Sequence, residues 1–259
     1  MPDRKWNDQD RHWSRHAPGY EDVFLDPYGP GVENPLWAAL DAIPEPGSKT
    51  IADLGCGTGP LLSRLLDPFG RVLALDFAEG MLDRARARIG PRAAARVEFL
   101  NRPMHELGDL AGQLDVAVAV NSLVMPDVRL IDRTLRAIRS ALRPGGVFLA
   151  IVPSIDALAY HAMLLADRAI ERGMSPRAAE RLAASQIERR YYDFAFGRFR
   201  FQGLSQKFWQ PFEVEYRLAR AGFASVEMAK VLYPWDDALA GSEELAEFPQ
   251  SWDWFFRAT

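Results

Sequence analysis

One nonapeptide, Ile51-Ala52-Asp53-Leu54-Gly55-Cys56-Gly57-Thr58-Gly59, constrains the fold of this chain more than any other stretch. An apolar run carrying one acid leads straight into three glycines at alternate positions, which is the pattern of a buried strand entering a turn. Glycines there permit positive φ and let a ligand approach backbone N–H groups closely. Downstream, short apolar runs at 71–76, 96–100, 115–120 and 147–152 alternate with helical patterns. That alternation predicts βαβ units and a largely parallel sheet. The run at 147–152, Val-Phe-Leu-Ala-Ile-Val, is apolar at every position, as expected for a strand with helices on both faces. Val128, Ile131, Leu135, Ile138 and Leu142 recur at steps of three and four and mark one apolar helical stripe, with Pro144-Gly145-Gly146 as its stop. Right-handed crossovers then leave a crevice at the carboxyl ends of the strands.

The spacing of the glycines separates two ligand classes. A dinucleotide turn reads G-x-G-x-x-G so that a pyrophosphate sits on the helix N-terminus, whereas this turn reads G-x-G-x-G. Asp53 stands two residues before the first glycine, where a carboxylate repels a diphosphate and attracts an ammonium group. Asp76 closes the second strand, where its two oxygens can accept both hydroxyls of a ribose. A nicotinamide oxidoreductase shares this last feature but not the glycine spacing.

These residues resemble the first motif of the class I S-adenosylmethionine-dependent methyltransferases, matched by Asp53 to Gly59. Leu75-Asp76-Phe77 and Leu142-Arg143-Pro144-Gly145-Gly146 resemble later motifs of the same family, and Leu218 to Phe223 resembles the helix end that precedes its final strands. The resemblance implies an α/β, Rossmann-like, doubly wound seven-stranded sheet, mostly parallel with an antiparallel last strand. It implies S-adenosylmethionine as cofactor, with Asp53, Gly55, Gly57, Gly59 and Asp76 binding it, Phe77 and Met81 flanking the adenine, and Asn121 and Ser122 near the point where methyl donor and acceptor meet. One departure stands out: many relatives carry an aspartate after the third strand to accept the adenine amino group, and this chain has Asn101-Arg102-Pro103-Met104. Met104 is then expected to pack on the adenine.

Methyl transfer from a sulfonium needs alignment and exclusion of water rather than a metal, and a general base helps when the acceptor is a hydroxyl, thiol or protonated amine. The expected organisation is an N-terminal lid at 1–46, the cofactor-binding core at 47–153, a mainly helical insertion capping the substrate at 154–209, and a C-terminal helix and strands at 210–259 that complete the core. Within the insertion, helices are expected at 155–172 and 176–190, followed by a phenylalanine hairpin at 194–201. A further helix at 211–221 and strands at 225–233 and 252–256 complete the pattern. His161 with Tyr160 is the candidate base or acceptor-orienting pair, against the alternative of a histidine on a helix surface or satisfied in a core. Tyr20, in an aromatic N-terminal segment, is a candidate to fold over the cofactor.

A chain of 259 residues with 48% hydrophobic and 25% charged residues supports one sizeable core with an appendage and excludes disorder. Cys56 is the single cysteine, so an intramolecular disulfide and a cysteine metal cluster are both excluded, and it reads as a small buried residue of the turn. The net charge of -4 offers a polyanion no overall attraction. Arg181, Arg189, Arg190, Arg198 and Arg200, interleaved with aromatics, read as a solvated helix face and hairpin rather than a nucleic-acid face. The start lacks the apolar core of a secretory signal and no apolar run is long enough to span a bilayer, which predicts a cytoplasmic protein. The expected activity is methylation of oxygen, nitrogen or sulfur on a small molecule. Alternatives of other classes are a cofactor- or partner-binding module without turnover and an RNA methyltransferase.

Overall fold

The computed structural model describes residues 25–201, 204–235 and 241–259. In chain order the elements are α1 (Pro35–Asp41), β1 (Thr50–Leu54), α2 (Leu62–Leu66), β2 (Arg71–Asp76), α3 (Glu79–Ala94), β3 (Val97–Asn101), β4 (Leu114–Val120), α4 (Val128–Ala141) and β5 (Leu142–Val152). Then follow α5 (Ile155–Glu171), α6 (Pro176–Gln186), β6 (Tyr192–Asp193), β7 (Arg198–Phe201), β8 (Leu204–Lys207), α7 (Pro211–Ala221), β9 (Val226–Tyr233), α8 (Ser242–Leu245) and β10 (Ser251–Ala258).

Seven strands form one sheet in the order β3-β2-β1-β4-β5-β10-β9. β1 to β5 are mutually parallel, and β10 runs antiparallel to both β5 and β9. The order reverses between β1 and β4, so the loops leaving those two strands diverge and open the crevice at their carboxyl ends.

Alternation along the strands sorts the core into two layers. Ala52 and Leu54 of β1, Leu73 and Leu75 of β2, and Phe148, Ala150 and Val152 of β5 face one side, against Ile131, Leu135 and Ile138 of α4 and Val214 and Leu218 of α7. Ile51, Val72, Ala74, Leu149 and Ile151 face the other, against α1, α2 and α3. Burying each such leucine or isoleucine contributes about 1.5–3 kcal/mol, which is why the stripe on α4 determines its orientation. Asp127 caps α4 by accepting from Arg129 N, and the helix ends at Ala141, three residues before Pro144, because β5 already begins at Leu142.

The insertion departs from the expected hairpin in one respect: β6, β7 and β8 form a three-stranded antiparallel sheet. α6 stops at Gln186, four residues short of the expected end, and a single 3-10 turn at Arg189–Tyr191 leads into β6. α5, capped by Ser154 Oγ accepting from Ala157 N, packs on α6 through Leu164, Leu165, Ala183 and Ile187. β10 is longer than expected at both ends, and α8 answers no sequence expectation. Part of the expected lid belongs to the core instead: Leu36 and Leu40 of α1 are buried against the sheet, and Glu33 pairs with Leu232 of β9. Tyr20 lies outside the described residues.

Candidate active site

Backbone bonds fix the start of the glycine turn. Gly55 N and Cys56 N both donate to Leu75 O, at 2.7 and 2.9 Å, which ties the end of β1 to the end of β2. Gly55 has φ +73°, and an added Cβ would stand 2.4 Å from Ser122 Cβ, so only glycine fits between the turn and the loop after β4. Gly57, at φ +53°, has no heavy atom within 4 Å of the position its Cβ would take, so its backbone borders open space. Gly59 differs from expectation. It lines neither cavity described below, and a Cβ there would meet Ala85 Cβ and Leu62 Cδ1 at 2.9 Å, so its role is close packing of α2 on α3.

Asp76 ends β2 with both carboxylate oxygens directed at backbone: Oδ2 accepts from Gly57 N at 3.0 Å and Oδ1 from Ala78 N at 2.9 Å. Asp53, 3% exposed, lies beneath the turn, and burial followed by the nearby charge of Asp76 pushes its carboxyl up to about 7. The thiol of Cys56 is likewise pushed well above its ordinary value, first by burial and then by the two carboxylates, which leaves it an inert buried group.

Two adjoining cavities share Leu25, Gly55, Gly57 and Asn121. The smaller has Asp53, Cys56, Thr58, Tyr28 and Arg88 in its lining. The larger holds about 960 Å³ of atom-free space, partly open to solvent, and runs from Asp76, Phe77, Met81 and Met104 past Ser122 to Val124, Pro153, Gln206, Phe208 and Asp253. Eight of the expected cofactor residues therefore border one crevice: Asp53, Gly55, Gly57, Asp76, Phe77, Met81, Met104 and Asn121. Asn101 is not among the lining residues of either cavity. Its side-chain amide donates to Asp76 O and Phe77 O, which fixes the turn after β2.

His161 and Tyr160 stand elsewhere. His161 is 4% exposed on α5 with its ring 5.3 Å from that of Trp235, and Tyr160 donates its hydroxyl to Pro249 O at 3.0 Å while packing on Trp252. Neither lines either cavity.

The far end of the larger cavity is made by residues that sequence reasoning missed. From the end of β8 the chain crosses the crevice as a strap: Lys207 N donates to Val124 O at 2.8 Å, Phe208 N to Gly197 O at 2.6 Å, and Trp209 N to Pro153 O at 2.7 Å. Gln206 and Phe208 line the cavity, while Lys207 between them is directed into the core, in the period-two manner of extended chain. Lys207, 2% exposed, pairs with Glu213 and donates to Phe196 O at 2.8 Å, and Arg217 links Glu213 to Asp132. Phe208 is backed by Tyr192 and Phe199, whose rings stack at 4.7 Å.

Asp253 enters from β10. Its Oδ2 accepts from Tyr233 Oη at 2.9 Å, its Oδ1 from Ser154 N at 3.2 Å, and the Asn121 side chain also bonds to it. Asn121 adopts a left-handed backbone, φ +49°, and its Oδ1 is buried without a partner. No cluster of three or more histidine, cysteine or acidic side chains suited to a metal occurs among the described residues, and none of their helices is long and apolar enough to cross a membrane.

Residues 51–146 match the family model described as a methyltransferase domain. The chain is 33% identical over 128 residues to the demethylmenaquinone methyltransferase of Lactococcus lactis, covering 47% of this chain and 50% of that protein. It spans half or less of the length of the first curated relatives it matches. Among solved structures, the 1,6-didemethyltoxoflavin-N1-methyltransferase of Burkholderia thailandensis, with 1,6-didemethyltoxoflavin and S-adenosylhomocysteine bound, superposes with a TM-score of 0.64 at 19% identity, covering 100% of this chain and 89% of that one. A chain of the complex between the Haloferax volcanii Trm112 methyltransferase activator and a methyltransferase superposes at 0.63 with 18% identity, covering 97% and 96%. Sheet order and glycine turn agree with the matched domain: residues 51–146 are similar to methyltransferase domains, and the sheet has the fold of the solved methyltransferases.

Proposed function

We propose that this protein transfers the methyl group of S-adenosylmethionine to oxygen, nitrogen or sulfur of a small molecule. The observation that carries the reading is the single crevice leading from a buried carboxylate and an open backbone turn, past an unpartnered amide oxygen, to a walled compartment on the far side of Asn121. The residues suit a sulfonium nucleoside. Asp53 and Asn121 Oδ1 are acceptors for an ammonium group, Gly57 offers backbone that a ligand can approach, Asp76 stands where a ribose would lie, and Phe77, Met81 and Met104 give apolar surface for a purine. When bound, that group supplies an activated methyl on positively charged sulfur. The protein's part is to align it with the acceptor and exclude water.

The compartment favours a small molecule over a nucleic acid. Among the described residues, the lining of the larger cavity has no lysine, arginine or histidine, and Arg88 stands on the adjoining one. Two curated relatives, a ubiquinone biosynthesis O-methyltransferase and a trans-aconitate 2-methyltransferase, carry names that fit small-molecule acceptors.

Calorimetric titration with S-adenosylhomocysteine tests the reading. Saturable binding is expected, and no binding at millimolar ligand would remove the proposal. Competition by NADH at similar affinity would return the oxidoreductase alternative.

A further inference from the structure

The compartment beyond Asn121 contains polar groups that a sulfonium nucleoside does not explain. Asp253 is 7% exposed, and three donors already hold its carboxylate in place: Tyr233 Oη, Ser154 N and the Asn121 side chain. A carboxylate offers about four acceptor sites, so one remains for a ligand. Gln206, 3% exposed on the strap, also lines the compartment, and its Nε2 is buried without a partner. Buried amide donors are nearly always satisfied, so an unsatisfied one at a cavity wall calls for an acceptor on the ligand. Val124, Pro153 and Phe208 supply the rest of the surface, apolar and in part planar.

We propose that this compartment is the methyl-acceptor subsite and takes a planar, uncharged molecule that presents an O–H or N–H to Asp253 and, alongside it, a carbonyl oxygen or ring nitrogen to Gln206. The proposal rests on the methyltransferase reading above and names the substrate class of the same site. Two features support the polarity. Burial lifts the Asp253 carboxyl only to about 6, so at neutral pH it is chiefly an acceptor, and the Tyr233 phenol, pushed well above its ordinary value, stays a donor to it. An anionic acceptor would be repelled by Asp253, and a cation that carries no hydrogen-bond acceptor would leave Gln206 unsatisfied.

The test uses the full chain loaded with S-adenosylhomocysteine and two probes, 2-pyridone, which carries N–H beside C=O, and N-methyl-2-pyridone, which lacks the donor. Binding is read by ligand-observed NMR titration. 2-Pyridone is expected to bind the loaded protein at least about tenfold tighter than its N-methyl analogue, because a site built around a hydrogen-bond donor rejects an analogue without one. Asp253→Asn and Gln206→Leu are each expected to weaken 2-pyridone several-fold, and Gln206→Leu to leave S-adenosylhomocysteine affinity within about twofold of the parent protein. Equal binding of the two probes, or no 2-pyridone binding at about 20 millimolar, where a seven-atom fragment in a matched slot should bind, overturns the inference. So does an Asp253→Asn variant that loses S-adenosylhomocysteine instead of 2-pyridone, since it assigns the carboxylate to the methyl donor. Because the probe comparison needs no variant, misfolding cannot mask the result. Failure of S-adenosylhomocysteine to bind the parent protein is a separate outcome and sinks the underlying reading as well.

Discussion

Asp53 gives the methyltransferase reading a quantitative consequence in the pH dependence of ligand binding. Burial and the neighbouring Asp76 hold its carboxyl at about 7 in the ligand-free protein, so near neutrality it is about half protonated. An ammonium group about 4 Å away in a partly desolvated site attracts the ionised form by about 4 kcal/mol, enough to bring the carboxyl to about pH 4. Binding therefore expels a proton whenever the free protein holds one. Linkage then sets the slope: affinity for S-adenosylhomocysteine should fall about 25-fold, close to 2 kcal/mol, between pH 7.5 and pH 5.5. Calorimetry at the two pH values, each in buffers of low and high ionisation enthalpy, reads both the affinity and the proton count. Release of nearly one proton is expected at pH 5.5 and of about a quarter of one at pH 7.5. Asp53→Asn should bind more weakly at pH 7.5 and show no pH dependence over this range. Asp76→Asn should move the wild-type midpoint downward, because it removes the second cause of the raised value. Flat affinity from pH 5.5 to 7.5 in the unmodified protein, or proton uptake on binding, would refute the assignment of Asp53 to the ammonium end.

Gly55→Ala should abolish S-adenosylhomocysteine binding and destabilise the fold by about 2–4 kcal/mol, read by chemical denaturation, since its Cβ would collide with Ser122 at a positive φ. Lys207→Met breaks a buried ion pair and should lower stability by about 3 kcal/mol, and it should weaken 2-pyridone more than S-adenosylhomocysteine because the strap alone loses its anchor. His161→Ala should leave S-adenosylhomocysteine affinity unchanged while lowering the melting temperature, because the imidazole packs among the cap helices on Trp235. A loss of affinity in that variant would return His161 to the site.

The parallel core was legible because its signals are local. β1 is the strand expected to enter the glycine turn and β2 coincides with the expected 71–76, since every residue from Ile51 to Leu54 and from Val72 to Asp76 is buried and turn residues bound each run. The meeting of Asp53, Gly55, Gly57 and Asp76 at one crevice was legible for the same reason: they lie within one strand-turn-helix-strand unit. The compartment beyond Asn121 was not. It assembles residues from Asn121 to Val124, Pro153, Gln206 to Phe208, and Asp253, stations far apart in the chain that meet only after the sheet forms. Ser205-Gln206-Lys207 reads as exposed loop, because what buries Lys207 is Glu213 on the next helix, a contact no periodicity encodes. Asp253 reads as a surface acid unless its three donors are known. His161 drew attention by residue type, yet a histidine on an amphipathic helix is buried by its neighbours as readily as it is aimed at a ligand.

The alternation along the strap separates two tasks that share three consecutive residues. Lys207 fastens the segment to the body of the protein, while the side chains on either side of it shape the chamber. Exchanging Gln206 or Phe208 can therefore retune which molecules are admitted with the methyl-donor machinery and the fastening left intact. Divergence of selectivity within this lineage is thus expected to concentrate at those two positions and to spare the lysine between them.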